Sequence, residues 1–189
     1  MWVTKSKLIL ASASPRRRDL LTEIKVPFEV KVADVDETPL EHEDPSMMVK
    51  RLSAKKALSV KGSWVLGADT TVVLNGENLG KPESRDDAFN KLKALQGSWH
   101  IVLGGVALVH NGELVENTVI ESSVKMVSIS DEIIKRYIET KEPMDKAGAY
   151  AIQGIGSQFI EEIKGSYSNV VGLDISWVVK TLLKHQIIS

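Results

Sequence analysis

Apolar and polar positions follow two periods along this chain, and the switches between them mark its elements. Lys7 to Ala11 is a short apolar run that predicts a buried strand. Ser14-Pro15 then supplies an N-capping hydroxyl with proline at the first helical position, and Leu20, Leu21 and Ile24 continue at helical spacing. Phe28 to Val32 alternates as a strand, Asp34 to Asp44 is an acidic loop, and Asp44-Pro45 opens a second helix through Met48, Leu52 and Ala57 to about Val60. Trp64 to Leu74 predicts an apolar strand ending at Asn75-Gly76, a strong hairpin signal, with Glu77 to Gly80 returning alongside. Ser84 caps a third helix that presents Ala88, Leu92 and Leu95 on one face and stops before Gly97. Two long strands, about His100 to Val109 and Leu114 to Val127, flank a second Asn-Gly turn at Asn111-Gly112. Ser130 caps a fourth helix through Ile133, Ile134, Tyr137 and Ile138. A short Asp145 to Tyr150 stretch, a strand near Phe159 to Ile163 and a terminal helix from about Gly172 complete the chain. Strands alternate with helices while the hairpins add antiparallel pairs, so the pattern predicts an α/β fold with a mixed sheet and helices around it. No repeat, linker or low-complexity tract divides residues 1–189, which predicts a single domain, with room for two lobes.

Composition narrows the chemistry. The 189 residues are 43% hydrophobic and 26% charged, ordinary for a domain with its own core. The absence of cysteine excludes disulfides, thiolate metal sites and cysteine nucleophiles, and agrees with a reducing, cytoplasmic setting. Leu8 to Ala11 is too short for a signal-peptide core or a membrane span, so no membrane association is expected. With 24 Lys and Arg against 25 Asp and Glu the net charge is −1, so no overall basic field exists to hold nucleic acid. Any polyanion has to be met locally.

One segment is built for that. Ser12-Ala13-Ser14-Pro15-Arg16-Arg17 follows a strand and opens a helix, which gathers free backbone N–H groups, the hydroxyls of Ser12 and Ser14 and two or three guanidiniums at one helix N-terminus. Arginines there oppose the helix dipole unless an anion or a carboxylate offsets them. The plainer alternative is a capped surface helix whose arginines pair with Asp19 or Glu23. Asp69, in Gly67-Ala68-Asp69-Thr70, interrupts an apolar strand, a costly place for a carboxylate unless it ligates a metal, accepts a proton or is paired. Asp36 and Glu37 in the acidic loop offer a second oxygen ligand for a divalent cation, or are solvated surface. Gly76-Glu77-Asn78-Leu79-Gly80-Lys81-Pro82 mimics a P-loop but has three residues between its glycines, and proline follows the lysine. Gly154-Ile155-Gly156 has Phe159 where a dinucleotide-binding motif has its third glycine. The four histidines have no metal spacing, and the four tryptophans, scattered without basic interleaving, suit packing better than base stacking. Gln153 carries the donor and acceptor that a pyrimidine edge needs, in a segment that otherwise reads as a tight turn.

Five segments, Leu8 to Arg17, Gly67 to Thr70, Leu79 to Pro82, Asp145 to Tyr150 and Asn169 to Leu173, resemble the Maf family in order and spacing across nearly the whole chain. The resemblance implies a fold related to the inosine triphosphate pyrophosphatases, two lobes with a cleft, and cleavage of a nucleoside triphosphate to monophosphate and pyrophosphate with Mg²⁺ or Mn²⁺. It makes Asp69 the general base or metal-linked carboxylate and Glu37 its metal partner. Arg16, Lys56 and Lys81 become triphosphate clamps, with Ser12, Ser14 and Arg17 around them; Lys55 is the alternative to Lys56 if the register differs by one. Arg16, Thr70 and Gln153 match the branch acting on dTTP and UTP, whereas the 7-methyl-GTP branch has Trp, Gln and Glu there. A house-cleaning enzyme is implied, possible as a homodimer, and the family's association with septum inhibition leaves a nucleotide-binding regulator as the rival. Gly104-Gly105 departs from many members and is expected to soften a strand.

Overall fold

A computed structural model describes residues 2–189. The fold is mixed α/β, as the patterning predicts. Among the described residues the seven strands are β1 (Leu8–Leu10), β2 (Glu29–Val30), β3 (Trp64–Leu74), β4 (Glu77–Leu79), β5 (Trp99–His110), β6 (Glu113–Met126) and β7 (Ile160–Lys164). Its helices are α1 (Pro15–Glu23), α2 (Pro45–Ser59), α3 (Arg85–Leu95), α4 (Asp131–Glu139), α5 (Tyr167–Val171) and α6 (Ile175–Lys184). The sheet runs β2-β1-β3-β5-β6-β7, with β4 paired to β3. β1 is parallel to both β2 and β3, while β3–β4 and β6–β7 are antiparallel. Both predicted hairpin turns form: Asn75 and Gly76 have φ of 52° and 84°, Asn111 and Gly112 of 49° and 87°, the paired positive values of a type I′ turn.

The chain divides into two compact units. One holds residues 1–69, 104–120 and 172–189, the other 70–103 and 121–171. In the first, Ile9, Ala11, Ala54, Ala57, Val65, Ala107 and Val109 form an apolar cluster of mostly small side chains. In the second, Leu92, Leu95, Met126, Ile134, Tyr137 and Phe159 belong to a larger core in which α3 packs on α4. The predicted caps are in place: Ser14, Asp44, Ser84 and Ser130 each accept a backbone N–H from the first turn of their helix.

Four expectations shift in detail. The strand expected over Phe28 to Val32 is reduced to two exposed residues, because its parallel partner β1 is three residues long and offers no further ladder. The terminal helix expected from about Gly172 starts at Ile175, with Asp174 as the N-cap of α6 accepting from Trp177 N at 2.6 Å, and the short α5 before Gly172 was not expected. The strand near Phe159 begins at Ile160, after a 3₁₀ segment over Gly154–Phe159. Asp145 to Tyr150, a short stretch by its sequence, runs from the end of the 3₁₀ turn Glu142–Asp145 through a second one, Ala147–Ala149, with Gly148 at φ 67°.

Gly105 lies within β5 against α2. A methyl group there would lie 3.0 Å from Lys50 N and closer still to the Val49 carbonyl. The glycine is where α2 lays its backbone on the strand, and Gly67 on β3 does the same: a methyl would lie 2.7 Å from Ala57 N and 2.9 Å from Ala57 Cβ, and nearer to Ser53 O. Val49, Ser53 and Ala57 are spaced by four, so one stripe of α2 rests on both glycines.

Candidate active site

Close approach of α2 to β3 decides what the helix's polar residues can reach. Gly67 and Asp69 are two apart on a strand and so share a face. The backbone of α2 presses on that face at Gly67, and the next position along it is Asp69. Lys56 therefore ends on the carboxylate: its Nζ is 2.7 Å from Asp69 Oδ1 and 2.8 Å from Glu37 Oε2. The Lys56 and Asp69 side chains are 8% and 10% exposed against 53% for Glu37, so the Lys56–Asp69 bond is the dry one and the stronger. Lys55, its neighbour, points elsewhere and donates to the carbonyl of Asp36 at 2.7 Å on the exposed side.

Glu37 reaches this cation because its loop is tied to α2. Arg51 forks onto Glu43, Nε to Oε1 and Nη2 to Oε2, both at 2.6 Å, and also donates to Thr38 O at 3.3 Å. Asp36 is turned to other use, accepting from Thr38 N at 2.9 Å and Thr38 Oγ1 at 2.6 Å. Of the two acidic candidates, Glu37 is the one that shares a cation with Asp69.

The segment after β1 builds a second cationic group in the same unit. Ser14 Oγ caps α1 by accepting from Arg17 N. Ser12 Oγ accepts from Ser14 N at 3.2 Å and from Arg17 Nη1 at 3.1 Å. Arg17 Nε donates to the carbonyl of Gly172 at 2.8 Å, which gives the Asn169 to Leu173 segment a visible task. Burial lowers the pKa of Arg17 below its ordinary value; Asp69 and Glu37 oppose that shift and Arg16 adds to it. The guanidinium remains charged. The arginine run is thus shared out: Arg18 pairs with Asp19 at the surface, as the plain reading had it, Arg16 is half-buried, and Arg17 is buried within the field of the two carboxylates.

Ser12, Ser14, Arg16, Arg17, Glu37, Lys56 and Asp69 all lie in the first unit, and Lys56 brings Glu37 and Asp69 together on one point. Two carboxylate oxygens converging on a single cation form a donor set that suits a hard divalent ion completed by substrate phosphates. Among the described residues no group of three or more His, Asp or Glu could hold a metal ion without such help.

Thr70, Lys81 and Gln153 lie in the second unit. Thr70 is half-buried on β3, Lys81 is exposed just after β4, and Gln153 is exposed in extended backbone at φ −106°. Gly148 N donates to Gly80 O at 3.3 Å, so the Leu79 to Pro82 and Asp145 to Tyr150 segments are neighbours there. Arg51 and Glu43, behind the acidic loop, were not singled out by the sequence, and Gly67 and Gly105 were named without their place under α2. A bare glycine carries no pattern that says what rests on it.

His100 belongs to the second unit. It is buried on β5 with Nε2 2.7 Å from the Tyr150 hydroxyl, and burial lowers its pKa to about 4. Trp64 packs on His110 with ring centroids 3.9 Å apart, whereas Trp99 is partly exposed with the Lys164 ammonium 4.3 Å over its ring. No helix among the described residues is long and apolar enough to cross a membrane.

Residues 7–185 match the family described as Maf-like protein. The chain is 47% identical over 173 residues to the dTTP/UTP pyrophosphatase of Anaeromyxobacter dehalogenans strain 2CP-1, covering 90% of this chain and 89% of that one. It is 48% identical over 181 residues to the dTTP/UTP pyrophosphatase of Symbiobacterium thermophilum, covering 93% and 92%. Among solved structures, the Ham1 protein of Staphylococcus aureus is similar at 17% identity with a TM-score of 0.44, over 82% of this chain and 79% of that one.

Proposed function

The chain belongs to the Maf-like protein family, and from that membership we propose that it hydrolyses dTTP and UTP to the nucleoside monophosphate and pyrophosphate. The observation that carries the reading is the Lys56 ammonium bridging Asp69 and Glu37 beside the buried Arg17. This is a constellation for moving a proton next to a polyanion.

Water adds across the bond between the α and β phosphates. One proton of the water goes to the Asp69 carboxylate, the oxygen stays on the nucleoside monophosphate, and pyrophosphate leaves with the electron pair of the broken bond. Lys56 and Arg17 offset the charge on the leaving group, with Arg16 at the same helix start. Their burial strengthens this effect, since water screens them poorly. Glu37 and Asp69 would hold a divalent cation, Mg²⁺ or Mn²⁺, which would supply charge neutralisation on the phosphate oxygens. The roles of Lys81 as a further phosphate contact, and of Thr70 and Gln153 in selecting a pyrimidine, rest on the family resemblance. Support for the branch comes from Arg16, Thr70 and Gln153 together with the named activity of the relatives.

A nucleotide panel with and without Mg²⁺ or Mn²⁺, followed by pyrophosphate release, tests this directly. The expected result is metal-dependent turnover of dTTP and UTP, with Asp69→Asn nearly abolishing it while nucleotide binding persists. Tight binding without turnover would make the protein a nucleotide-binding regulator. Preference for 7-methyl-GTP would move it to the other branch with its chemistry intact.

A further inference from the structure

The residue proposed to read the base, Gln153, sits on a short segment that is gripped from both sides by side chains the reaction itself does not need. On its N-terminal side, Ala151 N donates to the Tyr137 hydroxyl at 3.2 Å. On its C-terminal side, Ile155 N donates to Glu142 Oε1 and Gly156 N to Glu142 Oε2, both at 2.9 Å. The two grips are joined, because the Tyr137 hydroxyl also hydrogen-bonds to the Glu142 carboxylate; burial first, and then that bond, keep the phenol protonated.

The backbone around Gln153 is shaped to fit this carboxylate. Gly154 has φ 71°, and a methyl on it would run into Glu142 Oε1; one on Gly156 would lie 2.5 Å from the Tyr137 hydroxyl. Both glycines leave the room that the carboxylate and the phenol fill. Glu142 is itself held: its N–H donates to Thr140 Oγ1 at 3.2 Å, and its carbonyl accepts from Lys146 Nζ at 2.6 Å. Lys141 before it stands at φ 63°, which turns the chain off the end of α4 toward the Gln153 segment. A carboxylate accepting two backbone N–H groups and a phenol is charge-assisted at every contact, and such bonds are roughly twice as strong as neutral ones. Both of its oxygens are engaged by the Gln153 segment and Tyr137.

We infer that Glu142 is a positioning residue for nucleobase selection: through Ile155 N, Gly156 N and Tyr137 it fixes the backbone that aims the Gln153 amide. The inference rests on the reading of Gln153 as the base contact. A Gln amide tells one base edge from another only while its donor and acceptor are held in place, and its three side-chain torsions do not hold it there if the backbone moves. Loosening the segment therefore erodes discrimination between bases and leaves the reacting phosphates untouched.

Steady-state kinetics of Glu142→Ala, Glu142→Gln and Gln153→Ala with UTP and CTP test the assignment, with thermal melting as the check on folding. The expected result for Glu142→Ala is a fall of about tenfold in the ratio of kcat/KM for UTP over CTP, the scale of one lost charge-assisted hydrogen bond. The fall comes through KM for UTP, with kcat unchanged within about threefold. Glu142→Gln keeps one acceptor oxygen and falls between, and it carries the test if the alanine variant does not fold. A ratio unchanged in both Glu142 variants while Gln153→Ala lowers it overturns the role of Glu142 and leaves the base contact standing. A ratio unchanged in Gln153→Ala as well overturns both. Loss of kcat for UTP and CTP alike marks Glu142 as a general structural support and also overturns the inference.

Discussion

Replacing Gly67 by alanine tests the claim that a backbone contact, and not the acidic and basic residues alone, builds the site. The new methyl would stand 2.7 Å from Ala57 N and 2.9 Å from Ala57 Cβ and closer to the Ser53 carbonyl, where real Cβ contacts essentially never fall below 3.0 Å. Every atom it meets belongs to the backbone or to a one-carbon side chain, so nothing can swing aside and α2 itself must retreat, by about 1 Å. Overpacking of this kind costs about 1–3 kcal/mol. The functional effect is of similar size. Lys56 precedes Ala57, so its 2.7 Å bond to Asp69 stretches past the range of a hydrogen bond, and a misplacement of about 1 Å at a reacting group costs about a hundredfold in rate. Gly105→Ala, meeting Val49 two turns earlier on the same stripe, has the same direction of effect. The assay is kcat/KM for UTP beside a urea denaturation curve for each variant. A Gly67→Ala protein with wild-type kcat/KM would refute the reasoning, whatever its stability, because it would show that the helix need not touch the strand for Lys56 to serve Asp69.

Two more predictions follow from the same contacts. Lys56→Met leaves the buried Asp69 carboxylate without its nearest cation and destabilises the fold by about 3–5 kcal/mol, most of it restored in Lys56→Met/Asp69→Asn, whereas Lys55→Ala, which removes only an exposed bond to Asp36 O, changes both stability and turnover little; urea denaturation of the four proteins checks it, and equal losses at Lys55 and Lys56 would contradict the assignment. His100 is held neutral with a pKa of about 4 while the unfolded chain protonates it near 6.5, so the unfolded state binds the extra proton and stability falls as pH drops from about 6.5 to about 4, by about 3 kcal/mol from this residue; His100→Gln flattens that part of the stability–pH curve, and an unchanged slope would exclude His100 as its source.

The legible parts of this fold were those written in local chemistry. The two Asn-Gly turns appear where expected because the pair tolerates positive φ at both positions, and the four capped helices start where a Ser or Asp precedes a helical run. Lengths that depend on a partner were misjudged. β2 carries the alternation of a five-residue strand but forms two residues, because a strand extends only as far as its neighbour offers hydrogen bonds. The last helix, expected from about Gly172, starts three residues later, where the Asp174 carboxylate caps it.

At the site, the sequence named residues without assigning them their neighbours. Ser12 to Arg17 was legible as a cationic helix start, and three successive arginines there are indistinguishable by composition. Tertiary packing separates them: Arg18 is paired at the surface, Arg16 is half-buried, and Arg17 is fastened to Ser12 and the Gly172 carbonyl. Asp69 was conspicuous as a charge in an apolar strand, and Glu37 only as one acid among several. What joined them was the distance of α2 from β3, set by the missing side chains of Gly67 and Gly105. The sequence by itself determined which chemical groups the protein owns and which local turns it makes, because those follow from neighbours along the chain. Which lysine meets which carboxylate, and which carboxylate steadies the Gln153 segment, was decided only by tertiary structure, since these contacts depend on ångström-scale packing between segments that share no local pattern.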